Sequence, residues 1–160
     1  MKAVTDQQVE TLATVVSDVL EASAFSFADP CEKDELPEAH GEILQAEITF
    51  RDDVQEGTIR LAAPAELAAT FSAEMLALDP DEVTESLSAD ALKELLNVIC
   101  GQLITAVWGE EPLFQLTVPR LSGLDEEAWR KFCERTEVLT LVVDDIPLAC
   151  ELGLRGREKP

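Results

Sequence analysis

Asp90, Glu94 and Asn97 are the side chains in this sequence whose types and spacing most suggest chemistry. Stepped at about 100° per residue, they fall at about 0°, 40° and 340° around a helix, which makes one compact polar stripe. Gly101 lies on the same stripe, one turn past Asn97. Leu92, Leu95, Leu96, Ile99, Leu103, Ala106 and Val107 fall on the other side, between about 140° and 260°, and form the expected buried face. Asn is a poor residue for a helix interior, because its amide competes for backbone hydrogen bonds. That amide is no base, but its oxygen and NH2 can hold and orient a water. A glycine inside a helix costs roughly 1 kcal/mol relative to alanine. Gly101 therefore either clears bulk beside the stripe for a docking partner or admits a neighbouring helix. Plainer roles exist for the acids. If Ser88 is the N-cap, Asp90 lies in the first turn, where a carboxylate suits the helix dipole. Glu94 is a good helix former on a solvated face. Two carboxylates at i and i+4 would make at best a weak metal site, and no metal is assigned to them.

The elements that must position this stripe are legible along the chain. Thr5 and Gln8 make a capping box for a first helix, in which Val9, Leu12, Val15, Val16, Val19 and Leu20 repeat at helical spacing. Residues 23–40 contain Asp29-Pro30 and Leu36-Pro37 and read as a connecting loop. Leu44, Ala46, Ile48 and Phe50 alternate with polar residues up to Arg51, as in a half-buried strand. Asp52-Asp53 turns the chain into a second strand, Thr58 to Ala62, its hairpin partner. Pro64 starts a second helix, with Leu67, Phe71, Met75 and Leu78 on one face, and Asp79-Pro80-Asp81 ends it. The third helix starts at Ser88 or earlier, near Asp81, and is closed by Gly109 and Pro112 after Trp108. Phe114, Leu116 and Val118 predict a third strand. Asp125-Glu126-Glu127 opens a short helix toward Phe132, Val138 to Val143 is a fourth strand, and Leu148 to Leu154 a fifth. The order α-β-β-α-α-β-α-β-β is rich in hairpins and lacks βαβ units. It predicts an α+β fold with a largely antiparallel sheet and the long helices packed against it. Residues 1–154 are expected to form a single domain, with a frayed basic tail over 155–160.

Composition removes several function classes. The 160 residues carry 12 Lys+Arg against 33 Asp+Glu, a net charge of −21. A nucleic-acid binder needs cations to displace counterions, and an anionic membrane would repel this chain. No apolar run approaches the roughly 18 residues of a membrane span. The N-terminus turns acidic and helical at once, unlike a signal peptide. The acidity reads chiefly as a solubilising surface. Cys31, Cys100, Cys133 and Cys150 include no CxxC pair and are read as reduced thiols in a cytoplasmic protein. The single histidine, His40, sits in a loop without an evident nucleophile, and tyrosine is absent. Most hydrolase constellations lack their usual base here.

The stripe carries a family resemblance. Asp90-x3-Glu94-x2-Asn97, followed after 21 residues by Pro119, is similar to the signature of the CheC/CheX/FliY chemotaxis phosphatases. Asn97-Val98-Ile99-Cys100-Gly101 matches that family's Asn-x3-Gly, and Pro119-Arg120-Leu121-Ser122-Gly123 resembles its strand-ending stretch. The hairpin with Gly57 and the helix after Pro64 resemble the elements before the site. A single motif copy resembles the CheX branch. The first helix holds Asp6 and Glu10 but Ala13 where the motif would need Asn, so that shadow of the motif should be inert. Lys93 and Leu96 stand where the family usually has glycine.

The resemblance implies hydrolysis of the aspartyl phosphate of a CheY-like receiver domain. Asn97 would orient the attacking water, and Glu94 would pair with the receiver's lysine. Asp90, Lys93 and Gly101 would belong to the docking surface. Mg²⁺ would come from the receiver, so the chain needs no cofactor of its own. The same resemblance implies a homodimer with sheets meeting edge to edge. The competing expectation is a noncatalytic module that binds a receiver or flagellar switch component. An acidic mimic of nucleic acid is a third.

Overall fold

The computed structural model describes residues 3–111 and 113–156. Helix α1 spans Asp6–Ala24, and its capping box is formed as expected: Thr5 Oγ1 accepts from the Gln8 amide at 3.1 Å, and Gln8 Oε1 accepts from the Thr5 amide at 2.9 Å. Short strand β1, Asp29–Pro30, then interrupts what the sequence suggests is loop. Strands β2 (Ile43–Arg51) and β3 (Gln55–Pro64) form the expected hairpin. At its turn, Asp52 Oδ1 accepts from the amides of Val54 and Gln55, both at 2.8 Å. Helix α2, Ala65–Leu76, starts directly after Pro64.

Helix α3 runs Glu85–Trp108. Its cap is Thr84, whose hydroxyl accepts from the Leu87 amide at 3.1 Å. Ser88 is a buried residue inside the helix and does not cap it. Gly109 ends α3 with a φ of +81°, a conformation natural to glycine. Pro112 lies outside the described residues.

The predicted strand over Phe114–Val118 is much reduced. Only Gln115–Leu116 pair, as β4, and the longer strand β5 follows at Arg120–Leu124. Proline has no N–H to give a ladder, and Pro119 stands where pairing breaks. Both β4 and β5 lie along β2, β4 at the Phe50 end and β5 at the Ile43 end. Helix α4 (Glu126–Glu134), β6 (Val138–Val143) and β7 (Ile146–Gly156) complete the fold. The β6–β7 hairpin turns on Asp144 and Asp145, whose φ values of +49° and +64° fit the right-handed twist of the flanking strands. Of the expected basic tail, Arg155 and Gly156 pair with β3 as part of β7, and residues 157–160 lie outside the described residues.

Every pairing among the described residues is antiparallel, and the path across the sheet is β1-β6-β7-β3-β2-β4, with β5 also on β2. The α+β expectation therefore holds. On one face, α1, α2 and α3 cover the main core, which contains Leu12, Val16, Ile48, Phe50, Ile59, Leu61, Phe71, Leu95 and Ile99. On the other face, α4 packs Trp129, Phe132 and Cys133 against Ile43, Ala62, Val138 and Ala149. Gly57 sits opposite Phe50, whose ring lies over it where a side chain would otherwise stand. That ring also meets Trp108 and Phe114, each at 5.4 Å. This cluster fastens the C-terminal end of α3 to the hairpin.

By length and composition alone α3 could cross a membrane, with a window of mean hydropathy 1.2. The sequence-based expectation of no such stretch is corrected on that point. Its Leu, Ile, Val and Ala content reflects its place in the core: Leu92, Leu95, Leu96, Ile99 and Leu103 are fully buried, and the helix packs against α1, α2 and the sheet.

Candidate functional site

The predicted polar stripe exists and faces outward. Asp90, Glu94, Asn97 and Gly101 are all exposed on α3, while the leucines between them are buried. The predicted buried face is corrected at its end, where Ala106 is exposed and Val107 half-buried. Cys100 and Ile104 are buried instead. Helix α1 runs beside this half of α3, and Ala106 lines a groove between the two helices.

With Thr84 as the cap, Asp90 is the sixth residue of α3, beyond the turn in which a carboxylate is favoured by the dipole. Its carboxylate instead faces Lys93, with the ammonium 3.5 Å away. Glu94 and Asn97 are different. Among the described residues neither side chain has a hydrogen bond or ion pair. A carboxylate and an amide therefore stand side by side, held by a rigid helix and unpaired. Their hydrogen-bonding capacity is available to another molecule.

Gly101 borders a groove of about 700 Å³ between α1 and α3. Glu10, Thr14 and Asp18 line it from α1, and Gln102 and Thr105 from α3. A Cβ placed on Gly101 would meet nothing within 4 Å. The glycine does not admit a neighbouring helix, and the reading that remains is open space beside the stripe. Glu10, the second acid of the incomplete motif in α1, lines the same groove as Gly101, a proximity that the sequence alone does not reveal.

The other ionisable groups are organised elsewhere. Cys100, Cys133 and Cys150 are unpaired thiols that burial pushes up to about 12, which makes them poor nucleophiles. Cys31 is also raised, by burial and then by Glu35, Glu32 and Asp34. No group of three or more His, Cys, Asp or Glu able to hold a metal ion is gathered among the described residues. The arrangement suits docking and positioning, with little acid–base chemistry of its own.

The family model described as chemotaxis phosphatase CheX matches residues 44–131, a span that contains Asp90, Lys93, Glu94, Asn97 and Gly101. The chain belongs to the CheX family. Solved structures agree on the fold. The CheX of Desulfovibrio desulfuricans is 16% identical, with a TM-score of 0.67 over 93% of this chain and 99% of that one. The CheX of Vibrio vulnificus is also 16% identical, with a TM-score of 0.69 over 93% and 99%. CheX in the CheX–CheY–BeF3–Mg²⁺ complex of Borrelia burgdorferi is 17% identical, with a TM-score of 0.62 over 92% and 97%. No curated protein sequence matches. At such identities the shared CheX fold is what these structures establish, and individual residues rest on the geometry described above.

Proposed function

We propose that this CheX-family protein hydrolyses the aspartyl phosphate of a CheY-like receiver domain in the cytoplasm. The observation that carries the reading is the unpaired Glu94–Asn97 pair on the exposed stripe of α3, within the span matched by the CheX family. The Borrelia burgdorferi complex, which contains CheX, CheY, BeF3 and Mg²⁺, supports a receiver as partner and as the source of the metal. Phosphoryl transfer of this kind needs positioning and charge stabilisation more than covalent chemistry.

In this reading α3 enters the partner's phosphorylated pocket. The amide of Asn97 accepts a hydrogen bond from the attacking water through its oxygen and holds it in line with the leaving group. Glu94 pairs with the receiver's lysine and fixes the register of docking. Asp90 and Gly101 shape the contact. The water oxygen bonds to phosphorus as the bond to the aspartyl oxygen breaks, and the aspartate leaves as a carboxylate. Two copies of the chain would associate through sheet edges, where β5 offers five residues with one side unpaired among the described strands.

The test is the decay of a phosphorylated receiver from the same organism in Mg²⁺, alone, with this protein, and with Asn97→Ala. Faster decay that the variant abolishes supports the reading. Binding without acceleration would indicate a noncatalytic module instead.

A further inference from the structure

We propose that Lys93 is a further catalytic residue of this site, its ammonium contacting the phosphoryl group of the docked receiver beside the Asn97 amide. The inference rests on the phosphatase reading. Among the described residues, Lys93 is the one cation on α1, α2 and α3. The surface beside it on α3 is acidic, with Asp90 and Glu94 both exposed. A phosphoryl group carries between one and two negative charges, only part of which the receiver's own Mg²⁺ and lysine offset, so a cation on this face favours its approach. Lys93 stands there: it precedes Asn97 by four residues, which places the two side chains as neighbours on one flank of the helix.

The side chain is held in readiness but not locked. It is 35% exposed, and its ammonium lies 3.5 Å from Asp90 Oδ1. That is longer than a charge-assisted hydrogen bond, about 2.7–2.9 Å, so the pair is weak and the flexible stem can turn to another anion. During hydrolysis the water–phosphorus bond forms and the aspartyl–phosphorus bond breaks. The electron pair leaves on the aspartate, and the water's proton passes to the phosphate or to solvent. Negative charge spreads over the equatorial oxygens, and an ammonium beside one of them stabilises that state.

The experiment uses a receiver whose decay the unaltered protein accelerates, phosphorylated with a small acyl phosphate in Mg²⁺. Asn97→Ala, Lys93→Met and Lys93→Arg are compared over a range of receiver concentrations to separate kcat from KM. Lys93→Met is expected to lower kcat by about tenfold or more with little change in KM, and Lys93→Arg to recover most of it. Lys93→Met should also reduce the preference for a beryllofluoride-loaded receiver over an unloaded one. If Asn97→Ala loses activity while Lys93→Met keeps kcat within about twofold, or raises only KM, the phosphatase reading stands and the role of Lys93 is overturned. If the unaltered protein accelerates no receiver, both fall.

Discussion

The two faces of the sheet treat polar side chains in opposite ways. On the face behind α4, charges neutralise one another in a ladder across four strands. Arg120 lies opposite Glu47, Glu47 opposite Arg60, and Arg60 opposite Glu151 in the strand register. Arg60 donates to Glu47 Oε2 at 2.8 Å and to Glu151 Oε1 at 2.9 Å, and Arg135 reaches Glu151 from the end of α4. Burial opposes the charge on Arg60, but its hydrogen bonds to Glu151 and Glu47 and their negative charges outweigh it and hold its pKa above the usual value. Glu151 is only 2% exposed, so this ladder is structural. On the helical face, Glu94 and Asn97 have no partners at all among the described residues. The paired charges behind α4 help hold this fold together, whereas Glu94 and Asn97 keep their hydrogen-bonding capacity open on a rigid helix.

Variants on the two faces should therefore separate stability from activity. The largest effect is expected from Asn97→Ala, which should cut receiver dephosphorylation by about 100-fold or more while leaving urea unfolding unchanged or slightly improved. Loss of stability in parallel would remove the contrast. Glu151→Ala should do the reverse. It removes one carboxylate from each of two arginines, but Arg60 keeps Glu47, Arg135 keeps Glu137 and water reaches both, so the expected cost in urea unfolding is about 2–3 kcal/mol, less than for a buried charge left alone. Activity of the folded fraction should persist.

Gly57→Ala comes next. Its Cβ would collide with the Phe50 ring at Cζ, and that ring cannot retreat because Trp108 and Phe114 pack around it. Overpacking there should destabilise the protein by about 1–3 kcal/mol, read from a lower thermal midpoint. Gly101→Ala should give the smallest effect and one of opposite sign. The added methyl meets open space, so the helix gains about 1 kcal/mol. If the groove beside the stripe receives the partner, the more stable protein should be a slower phosphatase; unchanged activity would place docking elsewhere.

Much of this was legible in the sequence. The capping box at Thr5, the alternation from Leu44 to Phe50 and the apolar run Val138–Val143 are local signals, and each element formed where its signal lies. The polar stripe was legible because helical periodicity alone places Asp90, Glu94 and Asn97 together. The start of α3 was ambiguous between Ser88 and an earlier point near Asp81; the Thr84 cap, with Ser88 buried inside the helix, decided it. The alternation around Phe114–Val118 was misleading, since Pro119 divides the pairing with β2 and leaves Val118 82% exposed. The charge ladder was missed. Its signal was present in Glu47, Arg60 and Glu151, charges on the sheet face opposite the main core, but those residues meet only when the register is known.

By itself the sequence determined the periodic elements, the α+β class and the composition of the stripe, because these depend on residues a few positions apart. Tertiary structure alone decided that Glu94 and Asn97 stand unpaired, that Gly101 faces open space beside α1, and that the arginines behind the sheet are neutralised. Those facts depend on which surfaces meet across long separations, where packing and register choose partners that no local pattern names.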